Sequence, residues 1–110
     1  MATTDTGSAN RSMENNTTSV LVRFTGAPGV TAEQYDESIR RLEKSGDWLP
    51  DGLDYHVAFK SNGTFRVSEI WDSQKQLDAF GEQLMPVLKD VGIELSGKPE
   101  VLEIHNVLKR

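Results

Sequence analysis

The chain has 110 residues, with 12 Lys+Arg against 17 Asp+Glu, a formal net charge of −5, and 36% hydrophobic residues. That length suits one domain, because two cores of half the size would each bury too little surface to stand alone. No apolar run approaches the ~18 residues of a membrane span, the acidic balance argues against a nucleic-acid footprint, and the lack of Cys excludes disulfides, thiolate metal sites and cysteine nucleophiles.

Residues 1–17 are mostly Thr, Asn, Ser, Gly and charged side chains. Such a composition does not offset its ordering entropy, so a disordered tail is expected there. The opening MATTDTGSAN has no apolar h-region and is not read as a secretory signal, and a cytoplasmic chain is expected. The tail holds Asp5, Arg11 and Glu14, a net of −1, which leaves −4 for a single domain over residues 18–110.

That domain opens with a β-branched and aromatic strand, Ser19 to Phe24, closed by Gly26-Ala27-Pro28-Gly29. Thr31 and Gln34 have the spacing of a capping box, and Tyr35, Ile39 and Leu42 make one apolar stripe of the helix that follows. Ser45-Gly46-Asp47 ends the helix and Pro50-Asp51-Gly52 makes a turn. The second strand, Leu53 to Lys60, has apolar residues at every odd position. Asn62-Gly63 then reads as a type I′ hairpin turn, which requires positive φ at both positions. The third strand is Thr64 to Trp71. Ser73 and Gln76 repeat the capping-box spacing before a helix whose buried stripe is Leu77, Phe80, Leu84, Val87, Leu88 and Val91. Pro86 is expected to kink or divide this helix. A last strand is expected over Glu100 to Leu108.

The order β-α-β-β-α-β is the ferredoxin-like α+β unit. Right-handed crossovers place its antiparallel strands in the order 4-1-3-2, with both helices on one face. Pairing Ser61 with Thr64 across the turn sets His56 opposite Glu69, Ala58 opposite Val67 and Asp54 opposite Trp71. The other face then carries Leu53, Tyr55, Val57 and Phe59 with Ile70, Ser68 and Arg66. Both faces are substantially apolar, so the uncovered one is expected to pack against a second copy of the chain.

Chemistry concentrates on the His56–Glu69 pair. Two residues that exchange protons, set opposite each other beside an aromatic, have the form of a base and its orienter. The same pair also reads as a cross-strand hydrogen bond between two half-buried polar groups. Trp71 reads either as packing at the end of its strand or as a platform for a flat ligand. Trp48 sits in a loop and covers an end of the fold. The only other histidine, His105, would lie three strand spacings from His56, about 14 Å, so no metal site is expected.

Several segments resemble the dimeric α+β barrel superfamily, in its antibiotic-biosynthesis-monooxygenase-like (ABM-like) group. These are Gly52 to Ala58, Val67-Ser68-Glu69-Ile70-Trp71-Asp72-Ser73, the Phe80 to Ile93 stretch with Leu84, Pro86 and Gly92, and Val101 to Val107 with His105-Asn106. The resemblance implies a homodimer joined through one sheet face, with a ligand pocket inside each subunit between sheet and helices. It makes His56 and Glu69 the catalytic candidates, and Trp71, Ala58, Val67 and Phe80 the pocket wall. Haem-degrading members resemble the chain at Trp71 but carry a haem-ligating His in the next helix. Here that stretch, Leu77 to Glu82, has none, and the first strand lacks their pocket Asn.

The function implied is a cofactor-independent monooxygenase acting on a flat aromatic or polyphenolic substrate. The alternative is a non-catalytic barrel that binds a small apolar molecule. An RNA-binding domain shares the element order, but the acidic balance and Glu69 on the third strand argue against it, and neither nucleic acid nor membrane is expected as a partner.

Overall fold

A computed structural model describes residues 18–110. The tail expected over residues 1–17 lies outside the described residues. The chain runs β1 (Val20–Thr25), α1 (Ala32–Ser45), β2 (Leu53–Ser61), β3 (Thr64–Trp71), α2 (Gln74–Val91) and β4 (Glu100–Glu103). The strands form one antiparallel sheet in the order β2-β3-β1-β4, which is the expected 4-1-3-2 order taken from the other edge. The architecture is ferredoxin-like α+β. No helix among the described residues is long and apolar enough to cross a membrane.

Helix α1 starts on a complete capping box. Thr31 Oγ1 accepts from Gln34 N–H at 3.1 Å, and Gln34 Oε1 accepts from Thr31 N–H at 2.9 Å. The box ahead of α2 is only half formed. Gln76 N–H donates to Ser73 Oγ at 3.2 Å, but Gln76 Oε1 accepts from the Ser73 hydroxyl rather than from its backbone N–H. Pro86 does not divide α2, which is one helix of 18 residues. Pro86 and Glu82 one turn earlier are both exposed, so water can satisfy the carbonyl that proline leaves unbonded.

Val22 and Trp71 from the sheet, Leu42 from α1, and Leu77 and Phe80 from α2 form the buried cluster. Both helices therefore cover the face that carries His56, Glu69 and Trp71. The hairpin register is as expected from Tyr55 to Ser61, with His56 opposite Glu69 and Ala58 opposite Val67.

Two sequence expectations are corrected. Asp54 does not face Trp71, because a bulge between Leu53 and Tyr55 sets Leu53 opposite Trp71. Leu53 thereby leaves the outer face assigned to it and packs against the core. The extra residue, Asp54, is exposed and pairs with Lys109 at 2.9 Å. The bulge thus buries an apolar side chain and leaves the charge in water. The second correction concerns β4, which ends at Glu103 and not at Leu108. Glu103 lies opposite Val20, the first residue of β1. Beyond it, among the described residues, no neighbouring strand remains to accept a ladder, and His105 lies outside the sheet.

Gly52 sets the entry into the bulge. Its φ is 91° and its carbonyl accepts from Asp72 N–H at 2.8 Å. A Cβ there would stand 2.5 Å from Gln76 Cδ. We expect Gly52→Ala to destabilise the fold by about 1–3 kcal/mol, from left-handed strain plus the clash. A urea midpoint equal to wild type would show that the turn relaxes freely.

The outer face carries an apolar row across all four strands. Tyr55 lies opposite Ile70, Ile70 opposite Leu21, and Leu21 opposite Leu102. Tyr55 and Leu102 are exposed. Arg66, in register with Thr25 and Phe59, keeps its Nε buried without a hydrogen-bond partner.

Candidate active site

His56 sits near the middle of β2, and Glu69 stands directly across from it on β3. The register brings His56 Nδ1 within 2.6 Å of Glu69 Oε2, a length characteristic of charge-assisted bonds. The other carboxylate oxygen, Oε1, accepts from the Trp71 indole N–H at 2.9 Å. Trp71 lies two residues further along β3, hence on the same side of the pleat.

Helix α1 adds a group that the sheet pattern alone does not contain. Tyr35 Oη lies 2.6 Å from His56 Nε2. The phenol ring stacks on the imidazole at 5.9 Å and tilts against Phe65 at 5.2 Å. Its position follows from its neighbour Gln34, which closes the α1 cap with Oε1 and donates from Nε2 to the Val91 and Gly92 carbonyls at the end of α2. One side chain thus fixes both the start of α1 and its placement against α2. From the loop after α1, Trp48 meets the imidazole edge-on at 5.0 Å and the Phe80 ring at 6.4 Å.

The result is a continuous hydrogen-bonded chain, Tyr35–His56–Glu69–Trp71, graded in burial. Trp71 is 0% and Glu69 4% exposed, the His56 side chain is 16% exposed, and Tyr35 is half-buried. A carboxylate at Nδ1 holds the ring proton there and leaves Nε2 as an acceptor for the Tyr35 hydroxyl. Burial pushes the Tyr35 phenol above its ordinary pKa of 10.0, and the charges of Glu69 and Asp36 push it the same way. A raised folded-state pKa means that the native state holds its proton longer than the unfolded chain does. Stability from this term is therefore complete below pH 10 and is lost as pH rises through the folded value. We expect wild type to lose melting temperature above pH 10 more steeply than Tyr35→Phe, and matching slopes would remove the phenol from the account.

A cavity of about 70 Å³ opens beside this chain. Its wall is almost wholly apolar and includes Phe24, Ile39, Leu42, Trp48, Phe65 and Leu84. Of the residues expected from sequence, His56, Glu69, Val67 and Phe80 line it. Trp71 and Ala58 do not. Trp71 is buried behind Glu69, and its ring packs on Phe80 at 5.6 Å. Tyr35 and Trp48 line the cavity without having been singled out for it. The available signal for Tyr35 was its hydroxyl, since a buried tyrosine in an otherwise aliphatic stripe needs a polar partner. Among the described residues, no group of three His, Asp or Glu side chains is placed to hold a metal ion.

No protein-family profile matches the chain, and no curated protein matches it. Solved structures do. SnoaB, a cofactor-independent oxygenase from Streptomyces nogalater, is similar at TM-score 0.55 with 10% identity, over 84% of this chain and 96% of that one. A candidate antibiotic biosynthesis monooxygenase from Caulobacter crescentus is similar at TM-score 0.52 with 17% identity, over 82% of this chain and 89% of that one. Another, from Deinococcus radiodurans, is similar at TM-score 0.52 with 15% identity, over 84% and 97%. The fold is thus the one found in ABM-like proteins, and it spans nearly the whole of those chains.

Proposed function

We propose that the protein is a homodimeric, cofactor-independent oxygenase that takes a flat phenolic substrate. The observation that carries this reading is the His56–Glu69 pair ending at an apolar cavity, with a proton acceptor held in one tautomer inside a wall suited to an aromatic ring. His56 is the base, Glu69 orients it, and Val67 and Phe80 form part of the wall. Trp71 supports the site by anchoring Glu69. Ionising a phenol raises its electron density enough for reaction with O₂. The overall conversion of a phenol and O₂ to a quinone and water balances with no further reductant, because the substrate supplies all four electrons. One oxygen atom enters the ring and the other leaves as water. The name of SnoaB as a cofactor-independent oxygenase supports this chemistry for the fold.

The cavity, at about 70 Å³, has roughly half the ~150 Å³ that admits benzene in an engineered core. An aromatic substrate therefore enters with displacement of a lining side chain. Trp48 and Phe80 are placed for this, since Phe80 also borders a wider groove between the Gly46–Asp51 loop and α2. The outer apolar row supports the homodimer. A second copy on that face would cover Tyr55 and Leu102.

The reading is tested by thermal melts against polyphenols, quinones, fatty acids and haem, followed by oxygen uptake with whatever binds. Polyphenols should raise the melting temperature and drive oxygen uptake, and His56→Ala should abolish uptake while leaving the oligomer unchanged in light scattering. Binding without uptake would leave the non-catalytic barrel as the function, and no stabilisation by any class would overturn the pocket itself.

A further inference from the structure

Both nitrogens of His56 are already engaged, Nδ1 by Glu69 and Nε2 by Tyr35, each at 2.6 Å. A substrate in the cavity therefore meets no free imidazole nitrogen. Each carboxylate oxygen of Glu69 accepts one hydrogen bond, from His56 and from Trp71, and the side chain is only 5% exposed, so burial keeps its remaining lone pairs from a ligand. Along the chain from Trp71 outward, the half-buried end is the Tyr35 hydroxyl. A phenolic oxygen that donates its proton to Nε2 still has lone-pair capacity to accept another. It borders the cavity and is less enclosed than the Glu69 carboxylate, whose side chain is 5% exposed, so it is the acceptor that a ligand's hydroxyl reaches first.

We propose that Tyr35 is the catalytic residue that takes the substrate's proton, passing its own to His56, so that His56 works through Tyr35 and Glu69 is a positioning residue. In this step the substrate O–H bond breaks and a new bond forms to Tyr35 Oη. The original Tyr35 O–H bond breaks as the His56 Nε2–H bond forms. The electron pair stays on the substrate as a phenolate, and the positive charge on the imidazolium faces the Glu69 carboxylate. The raised pKa of Tyr35 is consistent with this role. The phenol remains protonated until Nε2 accepts, so it transfers a proton without standing as a free phenolate. Substrates must accordingly present a hydroxyl to Tyr35 with their apolar rings against the cavity wall. O-methylated analogues would bind without reacting.

This proposal rests on the oxygenase reading above, and the experiment separates the two. The probe is 1-naphthol, whose phenolate absorbs at longer wavelength than the neutral form. Wild type at pH 7 should bind it largely as phenolate. Tyr35→Phe, which conserves volume, should bind it within about threefold of the wild-type affinity but leave it neutral, and oxygen uptake with any substrate found should fall at least 100-fold in kcat with KM little changed. A Tyr35→Phe variant that still ionises 1-naphthol would show that the ligand reaches His56 directly, overturning the role of Tyr35 alone. Failure of wild type to bind or ionise the probe would overturn both readings. An independent check needs no ligand. The ¹⁵N shifts of His56 should report Nδ1 protonated and Nε2 unprotonated at pH 7, and the opposite tautomer would also overturn the relay.

Discussion

Glu69→Gln should leave the protein folded and nearly inactive. The amide has the size of the carboxylate, and its oxygen can still accept from the Trp71 indole, as Glu69 Oε1 does at 2.9 Å. Its NH₂ group would then face His56 Nδ1, where a donor meets a donor unless the ring changes tautomer. The ring proton moves to Nε2, and Nε2–H then donates to Tyr35 Oη. The direction of the chain is reversed, and neither Tyr35 nor His56 can accept a proton from the cavity. The expected loss is on the order of 10³-fold in kcat, in line with the 10²–10⁴ that a positioned base contributes and with wrong-tautomer variants of other His–carboxylate pairs. The melting temperature should move by only a few degrees. A Glu69→Gln variant with more than a tenth of wild-type turnover would contradict the assigned tautomer.

Trp71 carries the largest expected effect on stability. It is fully buried, is the largest such side chain, and packs on Phe80. Trp71→Ala removes this volume and leaves Glu69 Oε1 without its donor. We expect a loss of about 3–5 kcal/mol in urea unfolding, a large part of the 5–15 kcal/mol typical of a domain. Trp71→Phe separates the two contributions. It retains most of the packing but not the indole N–H, and should cost about 1–3 kcal/mol, as expected for an unsatisfied buried acceptor plus a small cavity. If Trp71→Phe were as destabilising as Trp71→Ala, the hydrogen bond to Glu69 would outweigh the packing. If both were near wild type, the core assignment would be wrong.

How much of this was legible in the sequence depended on whether the signal was local. The alternation of β2 and the Asn62-Gly63 turn between β2 and β3 contain the register, and the register contains the His56–Glu69 pair. The Asp54 bulge was hidden because Leu53, Tyr55, Val57 and Phe59 alternate without a break. The demand that Leu53 cover Trp71 comes from the core and not from the strand. The end of β4 was set by where β1 begins, a tertiary fact absent from the Ile104 to Leu108 stretch that follows Glu103. Tyr35 was read as one apolar position in a helical stripe, which it is. That its hydroxyl meets His56 depends on how α1 lies over β2, and this is fixed by Gln34 reaching the end of α2, 57 residues away in sequence. Trp48 was placed in a loop, and its contact with His56 follows from the path of that loop alone.

The same distinction explains why the pocket wall was only partly anticipated. Val67 and Phe80 lie on faces that the periodicities identify, and both reach the cavity. Trp71 shares the face of Glu69, but the carboxylate lies between it and the cavity. Its place in the account is therefore to hold Glu69, and through Glu69 the ring of His56.

The most direct test of the oxygenase reading is ¹⁸O₂ incorporation with a polyphenol that stabilises the wild-type protein. One ¹⁸O atom should appear in the quinone product per O₂ consumed, the other recovered in water, with no added metal, flavin or reductant and no incorporation by His56→Ala. A tightly bound polyphenol that wild type leaves unoxidised under O₂ would contradict it.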